Sequence, residues 1–221
     1  RINLWTFPDV FVTLTQYQYL WAKRTNPLVK KIVKIPNGVD LNRFGPQTKP
    51  LPVKLNHPII LCVSALDKWK RVELVIKAVS RLATGSLLLI GQGAMKSELE
   101  LLANKLLPGR FKILSFTHQN MHNVYSAADM FTYATVPWES FGIVLLEAMA
   151  TNLPIVATDD PVRREIIGNA GLFVDPTNIE LYADTLAQAL NQKWGNKPRR
   201  QAELFSWDKI AQQYDQLFRS L

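Results

Sequence analysis

From residue 53 onward, short uninterrupted apolar runs alternate with longer segments of helical pattern, and this alternation leaves few folds open. Candidate strands fall at 59–64, 86–90, 111–115, 130–135, 154–158 and 171–174. Their continuity, with none of the polar alternation of a half-solvated strand, asks for cover on both faces. Helical candidates lie between and after them at 71–82, 95–106, 121–127, 143–150, 163–167 and 178–192. Six such units specify an α/β domain with a Rossmann-like doubly wound parallel sheet, in which ligands bind beyond the carboxyl ends of the strands. The loops after Ser64, Gly91, Ser115 and Thr135 are then where chemistry is expected.

The last of these loops is the most informative. After the run ending at Thr135, Val136-Pro137-Trp138 breaks the strand, and Glu139-Ser-Phe-Gly-Ile-Val-Leu-Leu-Glu147 leads into a buried-type helix over 143–150. Gly142 lets a ligand approach the backbone, and the unpaired amides near Gly142, Ile143 and Val144 favour an anion such as a diphosphate. Glu139 precedes that anion site and Glu147 lies beyond it. At the rise of a helix their Cα atoms stand roughly 10 Å or more apart, too far to share a proton or one metal ion. Two ends of an extended ligand, a sugar at one and a ribose at the other, fit that spacing, because carboxylates accept hydroxyl hydrogen bonds strongly. On this stretch alone, a solvated loop glutamate and a helix-surface glutamate remain the alternative reading.

Further segments extend the pattern. Residues 139–147 resemble the Glu-x7-Glu signature of retaining GT-B glycosyltransferases of the family 4 type, the glycosyl transferases group 1. Ile35-Pro36-Asn37-Gly38-Val39-Asp40, with Phe44 after it, resembles that family's hinge into its C-terminal domain. Residues 61–71 (LCVSALDKWKR) are similar to its first C-domain strand and phosphate loop, and residues 88–93 (LLIGQG) to its second strand and glycine turn. Residues 153–158 and 171–174 match the later strands. The match runs in order from about residue 9 to the end.

The resemblance implies a C-terminal half of a GT-B fold that holds a nucleotide-diphosphate sugar for transfer to a hydroxyl of a glycan, lipid or small molecule, with retention. It implies that Lys70 neutralises the donor diphosphate and acts in catalysis together with Glu139. The donor-binding set it implies is Glu147, Gly142, Ile143, Val144, Phe141, Gly91, Gly93, Thr117 and His118, with the 116–119 loop near the base through backbone groups. It implies no metal and no cofactor. Residues 1–50 then read as the tail of an N-terminal domain with its hinge and linker, most of that domain being absent from this chain. Residues 51–205 are the donor-binding unit, and 206–221, with Ser206 as N-cap, a helix returning toward the first domain. One departure stands out: the family pattern has an arginine where this chain has Ala65. Lys68 and Arg71 are candidates to replace it. A non-catalytic nucleotide-binding or interaction module of the same fold is the rival reading.

Composition narrows the alternatives. The 221 residues include 48% apolar ones, ample for a packed core, and no apolar run is long enough for a membrane span. The chain opens on Arg1 with no signal-peptide pattern. The lone Cys62 sits in an apolar run and suits a reducing cytosol. The net charge of +8 favours acidic partners, including a nucleotide diphosphate or an anionic membrane surface carrying a lipid-linked acceptor. The cations are scattered, with short runs such as Arg163-Arg164 and 197–200 read as a solvated face, and no aromatic interleaving or zinc-ligand set points to nucleic acid. Gly91-Gln92-Gly93 lacks the third glycine of a dinucleotide fingerprint and reads as a tight turn facing the nucleotide. His57, His118 and His122 stand far from the glutamate pair in sequence, and no nucleophile elbow or metal cage is evident; Asp159-Asp160 reads as a cap or turn. The stretch around 194–200 reads as a linker.

Overall fold

The computed structural model describes residues 8–26, 28–137, 139 and 141–221. Trp138 and Ser140, within the loop singled out above, lie outside the described residues, as do residues 1–7.

Six strands form one parallel sheet: β3 (Ile59–Val63), β4 (Ser86–Ile90), β5 (Phe111–Leu114), β6 (Met130–Tyr133), β7 (Ile155–Thr158) and β8 (Gly171–Val174). Their spatial order is β5-β4-β3-β6-β7-β8, so the direction of winding reverses between β3 and β6. The continuous apolar runs are explained by what each face meets. In β3, Ile59 and Leu61 enter one buried cluster while Ile60 and Cys62 enter the other, on the opposite face. The first cluster draws on α4 (Met121–Tyr125), α5 (Ile143–Ala150), α6 (Pro161–Ile167) and α8 (Lys197–Ala202). The second draws on α2 (Val72–Arg81), α3 (Lys96–Leu106) and α7 (Ile179–Asn191). Burial pushes the Cys62 thiol up to about 12, which leaves it a small core hydrophobe.

The helices start where their sequences say they should. Asp160 caps α6 by accepting from the amides of Val162 (2.9 Å) and Arg163 (3.0 Å), with Pro161 as first residue. Asn178 and Ser206 cap α7 and α9 (Trp207–Arg219) in the same way. The strand at 130–135 stops earlier than its apolar run, at Tyr133, because the Ala134 and Thr135 carbonyls turn to the side chain of Arg71.

Ahead of this sheet, β1 (Val10–Thr13) and β2 (Lys31–Lys34) pair in parallel around α1 (Gln16–Thr25). Ile35 joins Ile210 and Leu217 of α9 in a third cluster, against which Val10, Val12 and Val33 pack, so the last helix covers the first strands. Glu165 of α6 binds the Gln16 amide (2.7 Å) and the Lys34 ammonium (2.8 Å) and ties the same region to the large sheet. The expectation of a linker at 194–200 is corrected: α8 is a helix. Its Arg199 donates to the carbonyls of Phe44 (2.7 Å), Ala150 (2.7 Å) and Leu41 (3.1 Å), which accounts for order in a segment that is polar by composition. Among the described residues no helix is long and apolar enough to cross a membrane.

Candidate functional site

The reversal between β3 and β6 makes the loops beyond their carboxyl ends diverge, and a crevice opens there. From the β3 side, Asp67 caps a short 3-10 turn, Lys68–Lys70, through the amides of Trp69 (2.9 Å) and Lys70 (3.2 Å). That turn projects Lys70 across the crevice, where its ammonium is ion-paired with Oε2 of Glu139, 69 residues away in sequence. Both side chains are largely covered, with 18% and 22% of their surface exposed.

Two guanidinium groups hold the segment that carries Glu139. Arg71 stands in the left-handed region (φ 50°) and donates to the carbonyls of Ala134 (2.7 Å) and Thr135 and to Oγ1 of Thr158 (3.2 Å). Arg163 is wholly buried and donates to the Glu139 carbonyl (2.6 Å) and to Oγ1 of Thr135 (2.9 Å), with Nε 3.4 Å from Oδ2 of Asp160. The reading of Arg163 as part of a solvated charge face is corrected; only its neighbour Arg164, paired with Asp159 at 2.6 Å, fits it. Arg71 is likewise committed to the protein's own carbonyls, which removes it as a substitute for the cation missing at Ala65.

Gly142 begins α5 at φ 88°, a conformation open to glycine, and a Cβ there would stand 3.3 Å from the Tyr133 ring. Val144 lines the crevice, Ile143 is exposed, and the Phe141 ring is buried against Phe205, so Phe141 offers a ligand only its main chain.

Glu147, one turn further along α5, is buried (6% exposed). It accepts from the Tyr125 hydroxyl at 2.6 Å, and its other oxygen lies 3.9 Å from Nδ1 of His118. Arg43 donates to the His118 carbonyl, which brings the segment after Val39 to this end of the site. Burial raises the Glu147 pKa, opposed by the Tyr125 hydrogen bond and by His118 and Arg43. A carboxyl whose folded pKa is raised binds its proton more readily folded than unfolded. Its ionisation therefore costs stability as pH rises from the ordinary value of 4.5 through the folded value. Glu147→Gln removes that cost. Thermal melts should show the variant gaining on the native chain as pH rises from below 4.5 to neutrality; an unchanged difference between those two conditions contradicts it.

Beyond the carboxyl ends of β3, β4 and β5 lies a cleft of about 610 Å³ lined by Ser64, Ala65, Gly91, Gln92, Thr117 and, from α5, Val144 among others. Gly91 and Gly93 lie in the turn after β4. A Cβ at Gly91 would lie 1.9 Å from the Ser64 carbonyl oxygen, and one at Gly93 would lie 2.3 Å from that of Leu66. Both glycines are required by the close approach of the loop after β3, and Gly91 also lines the cleft. A cavity of about 710 Å³ opens at the other end of the sheet, beside His57, Asp129, Pro154 and Trp194, and contains none of the catalytic or donor-binding residues expected from the sequence.

Known proteins are similar to this chain in sequence and fold. The model of the family described as glycosyl transferases group 1 matches residues 46–204. A similar relative is the N-acetylgalactosamine-N,N'-diacetylbacillosaminyl-diphospho-undecaprenol 4-alpha-N-acetylgalactosaminyltransferase of Campylobacter jejuni. It is 32% identical over an alignment of 192 residues that covers 82% of this chain and 52% of that protein. The GDP-mannose-dependent monoacylated alpha-(1-6)-phosphatidylinositol monomannoside mannosyltransferase of Corynebacterium glutamicum is 27% identical over 83% of this chain and 53% of its own length. Among solved structures, sucrose-phosphate synthase from Thermosynechococcus elongatus aligns with a TM-score of 0.81 at 26% identity, covering 96% of this chain and 58% of that one. The chain thus spans about half the length of the curated relatives it matches.

Proposed function

The chain belongs to the glycosyl transferases group 1 family, and from that premise we infer that its crevice holds a nucleotide-diphosphate sugar for a retaining transfer. The observation that carries this reading is the Lys70–Glu139 contact at the point where the winding of the sheet reverses. In a sugar nucleotide the sugar and the diphosphate share one bridging oxygen, so a cation for the phosphate and a carboxylate for the sugar hydroxyls must stand side by side.

In this reading Lys70 and the amides that open α5 stabilise negative charge as the bond from the anomeric carbon to the diphosphate oxygen breaks. Glu139 accepts from the sugar hydroxyls and fixes the ring. Glu147, steadied by Tyr125, accepts from the ribose at the far end of the cleft, with Thr117 and His118 near the base. The acceptor hydroxyl attacks from the face the diphosphate leaves, and its proton passes to the departing phosphate oxygen. Residues 51–205 form the donor unit, and no metal or other cofactor is assigned a role. A lipid-linked acceptor at a membrane surface is in keeping with the undecaprenol-linked name of the Campylobacter relative.

Titration calorimetry of the chain with UDP, GDP and their sugar conjugates tests this. Weak binding, in the high micromolar range or above, is expected, since Ala65 supplies no cation to the cleft. No heat with any of these ligands up to millimolar concentration would contradict it. The rival, a module without turnover, also draws on Ala65. Slow release of nucleotide from the donor by the full-length protein separates the two, because a binding module releases none.

A further inference from the structure

We propose that Arg71 and Arg163 are positioning residues for the sugar end of this site: from two sides they hold the segment between β6 and α5 so that Glu139 meets Lys70. The proposal rests on the donor reading above and adds two residues to it.

The segment after Tyr133 leaves the sheet, so the ladder no longer fixes it, and it must still present a carboxylate to a ligand with sub-ångström precision. Its anchors come from side chains. Arg71 takes the Ala134 and Thr135 carbonyls from the β3 side, and Oγ1 of Thr158 links the two by donating to the Thr135 carbonyl at 2.7 Å while accepting from Arg71 at 3.2 Å. Arg163, from the α6 side, takes Oγ1 of the same Thr135 and then the carbonyl of Glu139 itself at 2.6 Å. The first anchor adjoins Lys70 directly in sequence, so one loop places the cation and braces the carboxylate. The Val136 amide donates to the Trp69 carbonyl at 3.1 Å and closes the same connection from the main chain.

Two features argue that this is more than incidental packing. Arg71 occupies a left-handed conformation that costs a non-glycine residue free energy, and its side chain recovers three hydrogen bonds that glycine could not make. Arg163 is buried completely, an unfavourable place for a guanidinium unless its fixed fork of donors is needed there. Nε and Nη2 of Arg71 and both Nη atoms of Arg163 already donate to protein oxygens. Both therefore act on the ligand through Glu139.

The test is calorimetry on the chain with UDP, GDP, UDP-glucose and GDP-mannose, comparing Arg71→Gly, Arg163→Lys and Glu139→Gln, each alone and each arginine variant combined with Glu139→Gln. Arg71→Gly suits its backbone conformation and keeps the test readable should Arg163→Lys fail to fold. The native chain is expected to bind at least one sugar nucleotide more tightly than its parent diphosphate. Each arginine variant should weaken that sugar nucleotide by about fivefold or more, leave UDP or GDP nearly unchanged, and add nothing to the loss caused by Glu139→Gln. Equal losses for sugar nucleotide and diphosphate, or losses that add to that of Glu139→Gln, would overturn the proposal while leaving the donor reading intact. A native chain that binds none of the four ligands overturns both.

Discussion

Lys70→Ala is expected to weaken binding of UDP or GDP by about 1.5–3 kcal/mol, roughly tenfold to a hundredfold, while the affinity for uridine or guanosine stays as it was. The size follows from how few cations reach the crevice. Arg71 and Arg163 are bound to protein oxygens, Ala65 has no charge, and the Lys68 ammonium lies 4.7 Å from the centroid of the Trp69 ring. Removing Lys70 also leaves the Glu139 carboxylate without the ammonium that neutralises it, so the diphosphate would meet an uncompensated negative charge. The nucleoside carries no phosphate and should not register the change. Calorimetry of the four ligands against the two chains reads both effects. An unchanged diphosphate affinity would mean that Lys68 holds the phosphates.

The largest effect on stability is expected at Arg163. Arg163→Met should cost about 3–5 kcal/mol, read as a lower midpoint in denaturant unfolding, because it strands the buried Asp160 without its guanidinium partner. Burial already pushes the Asp160 carboxyl up, against hydrogen bonds from the Arg163 and Val162 amides and the charge of Arg163. The Glu139 carbonyl and the Thr135 hydroxyl lose partners as well. Asp160→Asn retains an acceptor for the α6 amides while removing the charge, so the double variant Asp160→Asn/Arg163→Met should lose less than the sum of the single losses. A loss below about 1 kcal/mol for Arg163→Met would show that the pair contributes little to the fold.

The fold was legible because its signal is local. Each strand of the large sheet is an apolar run, and a run such as Ile59–Val63, feeding two clusters from alternate residues, leaves no doubt about cover on both faces. The cap at Ser206 and the helix at Ile143–Ala150 were equally plain. The family resemblance singled out Glu139, Glu147 and Lys70, and the crevice does bring the first and last of these together.

What escaped the sequence lies in long-range contacts. Nothing near Lys70 shows that its ammonium meets Glu139, and nothing in Arg163-Arg164 distinguishes the buried arginine from the solvated one. A weak signal did exist: Asp160-Pro161 marks a helix start, which puts Arg163 in a first turn between the apolar residues Val162 and Ile166. The glycines at 91 and 93 mark a tight turn in the sequence, but the carbonyls that exclude a side chain there belong to Ser64 and Leu66 on another strand's loop. The α8 helix depends on Arg199 reaching the carbonyls of Leu41 and Phe44, more than 150 residues away.

Whether the donor site has two ends is decided by affinity measurements on Glu139→Gln and Glu147→Gln. Each variant is titrated with a nucleoside diphosphate and with the sugar nucleotide derived from it. Glu147→Gln should weaken both ligands, because the ribose is common to them, whereas Glu139→Gln should weaken only the ligand that carries the sugar. Two variants that weaken both ligands alike would contradict the two-ended site.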